Sequence, residues 1–313
     1  MELTDTPGTL VAGVWRRPGG RAALVTLGLI VAVAIAAPPF LPDPAAQPDV
    51  VGQASLPLGP GHPFGTDQLS RDVLARVVGG ARISLAVAGL AVLVSMTIGA
   101  GVGLVAGYLG GAVDAALMRL VDAALAIPRL FILLLLLAVW DHIPLAALIV
   151  ILGTTGWFGT SRLVRGEVLR LRHEDFVTGA EALGARRARV MFRHLLPNSM
   201  GPLLVAATLG VGDVILLEAG LSFLGLGIQP PKPSWGGMIF DAKSVLVAAP
   251  WTGIFPGLAI AVTVLAVNLL GDARIPTMFC FILGGPGETP ETLRETLRYA
   301  GDEIGPPHVG ICK

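Results

Sequence analysis

The sequence predicts an all-α membrane protein with about six transmembrane helices and one helical loop in the cytoplasm. Of its 313 residues, 53% are hydrophobic and 14% are charged, against roughly 25% charged in a soluble domain. The mean hydropathy is +0.74. Long apolar runs recur along the chain, and an arginine-rich segment separates two of them. Runs of about 20 apolar residues match the hydrocarbon core of a bilayer, so they predict spanning helices.

The composition excludes several other classes of function. The formal net charge is zero, so the chain carries no basic footprint for nucleic acid. Its two cysteines, Cys280 and Cys312, have no disulfide or metal spacing. No Gly-Lys-Ser/Thr phosphate motif occurs, and His173-Glu174 lacks the second histidine of a zinc motif. The sequence therefore predicts a non-catalytic chain without a cofactor, and any ATP would be bound by another chain.

The N-terminal part divides into a polar segment, a first span and an outer loop. Residues 1–21 are polar and end in arginines, which predicts a cytoplasmic N-terminus. The region 22–80 contains the first apolar run, at 22–41, and then a loop rich in proline and glycine. The alternative for this run is a cleaved signal peptide, because residues 34–36 resemble a cleavage site.

A short interfacial helix is predicted within the outer loop. Leu69, Val73 and Val77 would line one side of it, and Asp67 is placed to cap its N-terminus.

Residues 81–272 form the predicted transmembrane core. Its first span, 83–108, carries two overlapping GxxxG steps at Gly99, Gly103 and Gly107. Small residues at this spacing let helices approach closely in lipid, so we interpret these glycines as a packing surface.

The next two spans are predicted at 112–140 and at 145–164. Arg119 and Asp122 are three positions apart and are predicted to pair on one helix face. Pro128 is predicted to bend its helix or to mark an irregular start. A tight outer turn at 141–144 separates the two spans.

The last two spans, at 201–221 and 251–270, include carboxylates at membrane depth. Asp213 and Glu218 lie in the first of them, five positions apart, and therefore do not share a face. Ionisable groups at this depth usually face a cavity or a partner. We interpret both as candidates for the substrate pathway. The alternatives are a structural arginine partner and, for Glu218, a position wetted by the outer surface.

The outer segment 222–250 is too apolar for a free loop and too rich in glycine and proline for a span. It is predicted to be a re-entrant or interfacial element packed on the bundle. Trp235 and Trp251 are predicted to lie at the membrane interface.

The polar loop 166–197 is the most informative stretch. Eight arginines lie between 162 and 193, which places the loop in the cytoplasm. An amphipathic helix is predicted there, with one apolar and closely approachable face formed by Phe176, Val177, Ala180, Leu183 and Gly184. Gly184 is expected to admit a turn or the close approach of a partner. An ordered loop between two spans indicates a docking site for a protein in the aqueous phase.

The loop resembles the EAA motif of bacterial ABC importer permeases, in which Glu-Ala-Ala, three residues, Gly, eleven residues and Leu-Pro follow one another. Ala180, Gly184, Leu196 and Pro197 match this spacing, whereas Thr178 stands in place of the glutamate and Gly179 in place of the first alanine. The sequence from Thr178 to Glu181 also reads as a capping box that would start the helix. The resemblance implies coupling to an ATPase through Thr178, Gly179, Ala180, Glu181, Gly184, Leu196 and Pro197.

The resemblance extends over residues 15–273. HPFGTDQLSRDVLARVVGGARISL, FRHLLPN, EAGLSFLGLGIQPPKPSWG and FPGLAIAVTVLAVNLLGDA are similar to the second (C-type) transmembrane subunit of the dipeptide/oligopeptide permease subfamily. Membership would imply a type I ABC importer permease with a cytoplasmic coupling helix, and import of di- or oligopeptides. Nickel complexes or glutathione are alternative cargoes. A stand-alone channel or a membrane-embedded enzyme is the alternative class, and neither has its required signature here.

The resemblance also implies partners and a location. These are a sister permease of the B type, two cytoplasmic ATP-binding subunits that hold ATP and Mg²⁺, and an extracellular substrate-binding protein, in a bacterial inner membrane. The tail 273–313 departs from the subfamily, in a way that a frameshift or gene fusion would explain. It contains a predicted amphipathic helix at 291–300 and resembles segments of soluble radical enzymes, and we assign it no chemistry.

Overall fold

The computed structural model describes residues 15, 17–140 and 143–274. Within these residues the regular secondary structure is helical, and the two isolated β-bridges in the outer loop form no sheet. The predicted all-α fold class is therefore confirmed. The predicted helix at 291–300, and Asp141 and His142 of the predicted outer turn, lie outside the described residues.

Ten helices of eight residues or more follow one another in the described part of the chain. They are α1 (Pro18–Ala36), α2 (Val73–Leu109), α3 (Gly111–Leu125), α4 (Arg129–Leu137), α5 (Leu145–Thr154), α6 (Trp157–Leu171), α7 (Asp175–Ala182), α8 (Met200–Phe223), α9 (Trp235–Ala242) and α10 (Trp251–Arg274). A 3-10 turn, Pro38–Phe40, follows α1. Between α7 and α8, a π-helical stretch is flanked by two short α-helical turns: Arg187–Arg189, Val190–Leu195 and Leu196–Asn198.

Six spans are obtained when two bent helix pairs are each counted as one. Helices α1, α2, α8 and α10 are long and apolar enough to cross a bilayer alone. Helices α3 and α4 meet at 78°, and α5 and α6 meet at 40°. The first bend is at Pro128, which lacks an N–H group and disfavours helical geometry in the residue before it. The predicted span count and the predicted irregularity at Pro128 are confirmed.

Helix α2 begins before its predicted start and absorbs the predicted interfacial helix. It has 37 residues, about 55 Å at the usual rise per residue, so it extends beyond the hydrocarbon core. Its N-cap is Asp72, whose carboxylate accepts a hydrogen bond from the backbone N–H of Ala75 at 2.8 Å. The predicted cap at Asp67 is wrong, because the helix begins only at Val73. The Asp67 carboxylate accepts hydrogen bonds from the backbone N–H groups of Leu69 and Arg71 in the turn before the helix, and it also binds arginine side chains.

The glycine stripe of α2 packs against α6, as predicted. A Cβ atom added to Gly99 would lie 2.6 Å from Cβ of Thr160, and one on Gly107 would lie 2.9 Å from Cβ of Val168. Gly103 makes an equally close approach between them. Side chains at these positions would push the two helices apart, so the glycines set the separation of α2 and α6.

Helix α10 packs against both α8 and α1. A Cβ atom on Gly271 would lie 2.5 Å from Cδ2 of Leu209 in α8. On another side of α10, Ala266 and Leu270 are buried together with Ala23 of α1. The start of α1 therefore lies beside the end of α10, on the same side of the bundle.

The outer segment 222–250 contains α9 and packs against α2, α8 and α10. Trp235 is buried, and its indole N–H donates to the carbonyl of Val77 at 2.9 Å. The indole N–H of Trp251 donates to the carbonyl of Thr66 at 3.0 Å. The predicted interfacial position of Trp235 is therefore wrong, because this ring packs inside the protein.

Candidate functional site

The loop helix α7 has one buried side chain that packs against the bundle. Val177 is its buried residue, and Phe176 and Leu183 of the predicted apolar face are exposed, Leu183 by 90%. Val177 packs in a cluster that combines the neighbouring ends of α2 and α6 with the segment after α7. The other buried members are Ala100, Leu104, Val164, Val168, Leu171, Val190, Leu195 and Leu203.

The predicted capping box at the start of α7 is wrong. The helix begins at Asp175, so Thr178 lies inside it and its hydroxyl donates to the carbonyl of Asp175 at 3.2 Å. Glu181 accepts a hydrogen bond from the hydroxyl of Tyr108 at 2.7 Å. Because Tyr108 is at the end of α2, Glu181 connects the loop helix to a membrane span.

Gly184 ends α7 in a Schellman motif. The N–H of Ala185 donates to the carbonyl of Ala180 at 3.0 Å, and the N–H of Gly184 donates to the carbonyl of Glu181 at 2.9 Å. Gly184 has φ +80°, a conformation that glycine adopts without a steric penalty. No atom lies within 4 Å of where its Cβ would be, so the chain itself leaves this position open. Gly179, on the exposed side of α7, is equally open.

Leu196 and Pro197 lie in the short turn that leads into α8. Leu196 packs against the cluster around Val177. Pro197 lies in the first turn of its short helix, where a missing N–H costs nothing. The π-helical stretch just before them buries Val190 and Leu195 in the same cluster. Such stretches are frequent at functional sites.

Two arginines of α6 bind aspartates of α3. Arg165 forms a bidentate pair with Asp114, with Nη2 2.6 Å from Oδ2. Arg162 pairs with Asp122. The predicted pair of Arg119 with Asp122 is therefore wrong, because a neighbouring helix supplies the partner.

The segment from α7 to α8 presents an exposed surface of mixed character. Apolar side chains left uncovered beside positive charge are typical of a surface that binds another protein. We call this surface the docking surface. Its exposed members are Phe176, Leu183 and Phe192 together with Arg186, Arg187, Arg189 and Arg193.

A buried ionic network joins the loop before α2 to α9. Arg71 and Arg76 both bind Asp67 and both bind Asp241, with Arg71 Nε 2.6 Å from Asp67 Oδ2 and Arg76 Nη2 2.9 Å from Asp241 Oδ2. Both arginines and Asp67 are at most 5% exposed. Sequence analysis missed this network. The four-residue spacing of Asp67 and Arg71 could have suggested one pair, but Asp241 is remote in sequence.

We expect Arg76→Gln to destabilise the folded protein. Removing one member of a buried ion pair leaves an uncompensated charge and costs about 3 kcal/mol or more. The thermal midpoint of unfolding in detergent should fall clearly, whereas Arg82→Gln, at an exposed position of the same helix, should leave it unchanged. Equal midpoints for the two variants would contradict a stabilising role for the network.

A pocket of about 220 Å³ lies between α2, α4, α6 and α8. Asp213 lines it, as does Arg129, which sequence analysis did not single out. The signal for Arg129 was available, since it is a charged residue between a proline and an uninterrupted apolar run. The structure thus brings Asp213 to a cavity together with an arginine.

Glu218 does not line this pocket. It is 1% exposed, and its Oε1 accepts a hydrogen bond from the hydroxyl of Ser222 at 2.7 Å. Its Oε2 has no hydrogen-bond partner among the described residues. The alternative of a wetted carboxylate near the outer surface is therefore wrong. Glu218 is part of the packing between α8 and the outer segment.

Metal binding has no candidate in the part of the chain that the structure describes. No three His, Cys, Asp or Glu side chains there come close enough to share an ion. Cys280 and Cys312 lie outside the described residues.

Comparison with known proteins shows that this sequence is similar to membrane components of transport systems. Residues 99–275 match the family model described as binding-protein-dependent transport system inner membrane component. The chain is 40% identical to a dipeptide transport system permease protein from Alkalihalophilus pseudofirmus and 38% identical to an oligopeptide transport system permease protein from Bacillus subtilis. Each alignment covers 80% of this chain and 81% of the relative. An oligopeptide transport system permease protein from Haemophilus influenzae is 35% identical over 82% of this chain and 83% of its own length.

Proposed function

The chain belongs to the family of binding-protein-dependent transport system inner membrane components, and we propose that it is the C-type transmembrane subunit of an ATP-driven importer of di- and oligopeptides. It is a multi-pass membrane permease that operates with other components of a transport system. The names of its relatives support peptides as the cargo. In this role it forms half of the translocation pathway and catalyses no reaction itself.

The observation that carries the coupling role is the way in which α7 is held. One buried side chain, Val177, connects it to α2 and α6, while Leu183 is left open at its end. An ATP-binding subunit bound to the docking surface would move α7. Close-packed side chains transmit such a displacement. It would reach the membrane pocket through α6, which contributes Thr160 and Leu163 to the pocket wall.

The proposed complex contains a B-type sister permease, two cytoplasmic subunits that bind ATP and Mg²⁺, and an extracellular substrate-binding protein in a bacterial inner membrane. The proposed cytoplasmic N-terminus is supported by α1, which starts beside the end of α10 near Gly271. The end of α10 packs on Leu209, which lies in the N-terminal half of α8, just after the arginine-rich loop.

Purification in mild detergent, with mass spectrometry of the bound proteins, tests this proposal. The wild-type chain should bring a second permease and the ATP-binding subunits. Leu183→Glu should lose the ATP-binding subunits and keep the sister permease, because it places a charge in an apolar contact. The control Val51→Glu, 95% exposed in the outer loop, should retain both. A wild-type chain that purifies alone and monodisperse would contradict the proposal.

A further inference from the structure

The pocket between α2, α4, α6 and α8 lies deep in the membrane. Asp213 is thirteen positions after Met200, the first residue of α8, which places it about 20 Å along that helix. Apolar residues such as Val92, Met96 and Leu209 form much of the wall. Among the described residues, the two charged side chains that line the cavity are Arg129 and Asp213, of opposite sign.

The guanidinium of Arg129 is held in place by the protein. Its Nη2 donates to the carbonyl of Leu152 at 2.6 Å, and its Nε contacts the hydroxyl of Thr155 at 3.3 Å. Both partners lie at the end of α5, beside the bend to α6. Neither bond involves Nη1, and both acceptors are uncharged. The two bonds therefore position the guanidinium without neutralising its charge.

Asp213 is exposed although it belongs to the middle of a spanning helix. A charge at this depth is costly unless it faces an aqueous cavity or an oppositely charged group. The pocket thus offers a positioned cation, Arg129, and an exposed anion, Asp213, on different helices, in a wall that also contains apolar residues. In a low-dielectric site, each charge attracts its complement more strongly than it would in water.

We propose that this pocket is a transient binding site for zwitterionic cargo, in which Arg129 binds the terminal carboxylate and Asp213 binds the terminal ammonium. The inference rests on the proposed function, because it assigns recognition chemistry to the peptide pathway. Arginine is suited to the carboxylate because its planar guanidinium donates several hydrogen bonds in a fixed geometry. A peptide with both termini free satisfies both charges at once, and a blocked terminus leaves one of them unpaired.

The test uses the complete transporter in proteoliposomes and measures ATP-driven uptake of trialanine, trialanine amide and N-acetyl-trialanine. Each variant is compared with wild type for the same peptide, so that selectivity of the binding protein cancels. Arg129→Gln should reduce trialanine uptake about tenfold or more and trialanine amide uptake far less. Asp213→Asn should likewise affect trialanine more than N-acetyl-trialanine. The control Arg119→Gln, at an exposed position of α3, should change none of the three rates.

The competing explanation is that Arg129 and Asp213 only neutralise each other. In that case each single variant would lower the uptake of all three peptides equally, and the double variant would recover. Such a result would overturn the inference and leave the proposed function intact. If the wild-type transporter took up no trialanine, that result would instead contradict the proposed function, the import of peptides.

A binding measurement tests the pocket independently of uptake. Leu163 lines the pocket and is 39% exposed, so Leu163→Cys provides a thiol for N-ethylmaleimide in a transporter whose Cys280 and Cys312 are replaced by serine. Trialanine at millimolar concentration should slow the labelling, and trialanine amide should slow it less. The difference should disappear when Arg129→Gln is added. Equal protection by the two peptides in the transporter that retains Arg129 would overturn the inference.

Discussion

Replacement of Gly103 by leucine is expected to abolish the folded transmembrane core. A Cβ atom at this position would lie 2.5 Å from the carbonyl oxygen of Ser161, 2.8 Å from Cβ of Val164 and 3.0 Å from the backbone nitrogen of Arg165. Two of these three atoms are backbone, so no change of rotamer relieves the clash. Overpacking a core usually costs about 1–3 kcal/mol, and separating α2 from α6 should cost more.

The measurement is the yield of monodisperse protein after membrane extraction and size-exclusion chromatography. Gly101→Leu is the matched control, because Gly101 lies two residues away in α2 and has no atom within 4 Å of its would-be Cβ. The control should behave like wild type, whereas Gly103→Leu should give aggregated protein or none. Similar yields for the two variants would mean that the α2–α6 contact does not hold the core together.

Replacement of Gly184 by arginine is expected to leave the protein inserted and to stop ATP-driven uptake. A non-glycine residue at φ +80° costs about 1–2 kcal/mol, which a folded bundle tolerates. No neighbouring atom in the chain is disturbed. The new side chain lies next to Leu183, at the exposed end of α7, and would obstruct the proposed contact with an ATP-binding subunit.

Uptake in proteoliposomes and the amount of inserted protein are measured together. Uptake by Gly184→Arg should fall more than about tenfold, which corresponds to the loss of at least 1.4 kcal/mol, at an unchanged protein level. Gly184→Asn is the control, because asparagine tolerates a positive φ and is uncharged and smaller. It should retain most of the activity. Normal uptake by Gly184→Arg would contradict a coupling role for this end of α7.

Much of the fold could be predicted from the sequence, because hydropathy is a property of each segment alone. The apolar runs predict the spans whatever their neighbours are. The glycine spacing of α2 predicts a close helix contact, and Pro128 predicts a bend. Gly184 is predicted to admit a turn or a close approach, and it forms the turn. Each of these depends on residues that are near one another in the chain.

Predictions of side-chain partners from short spacings were less successful. Arg119 and Asp122 are three positions apart, but Asp122 pairs with Arg162 of another helix. Thr178 and Glu181 have the spacing of a capping box, but Glu181 binds Tyr108 of α2. In each case a partner from a neighbouring helix competes with the local one. Spacing along the chain does not show which of these two partners, the local or the distant one, a side chain will bind.

The membrane location, the number of spans, the arginine-rich loop between two of them and the glycine surface of α2 follow from the order of the residues along the chain. The sharing of two arginines by Asp67 and Asp241, the burial of Glu218 and the common pocket of Arg129 and Asp213 become apparent only in the folded chain. Hydropathy accumulates along a segment, whereas these contacts depend on the rotation of each helix about its axis. That rotation is set by the packing of all the helices together.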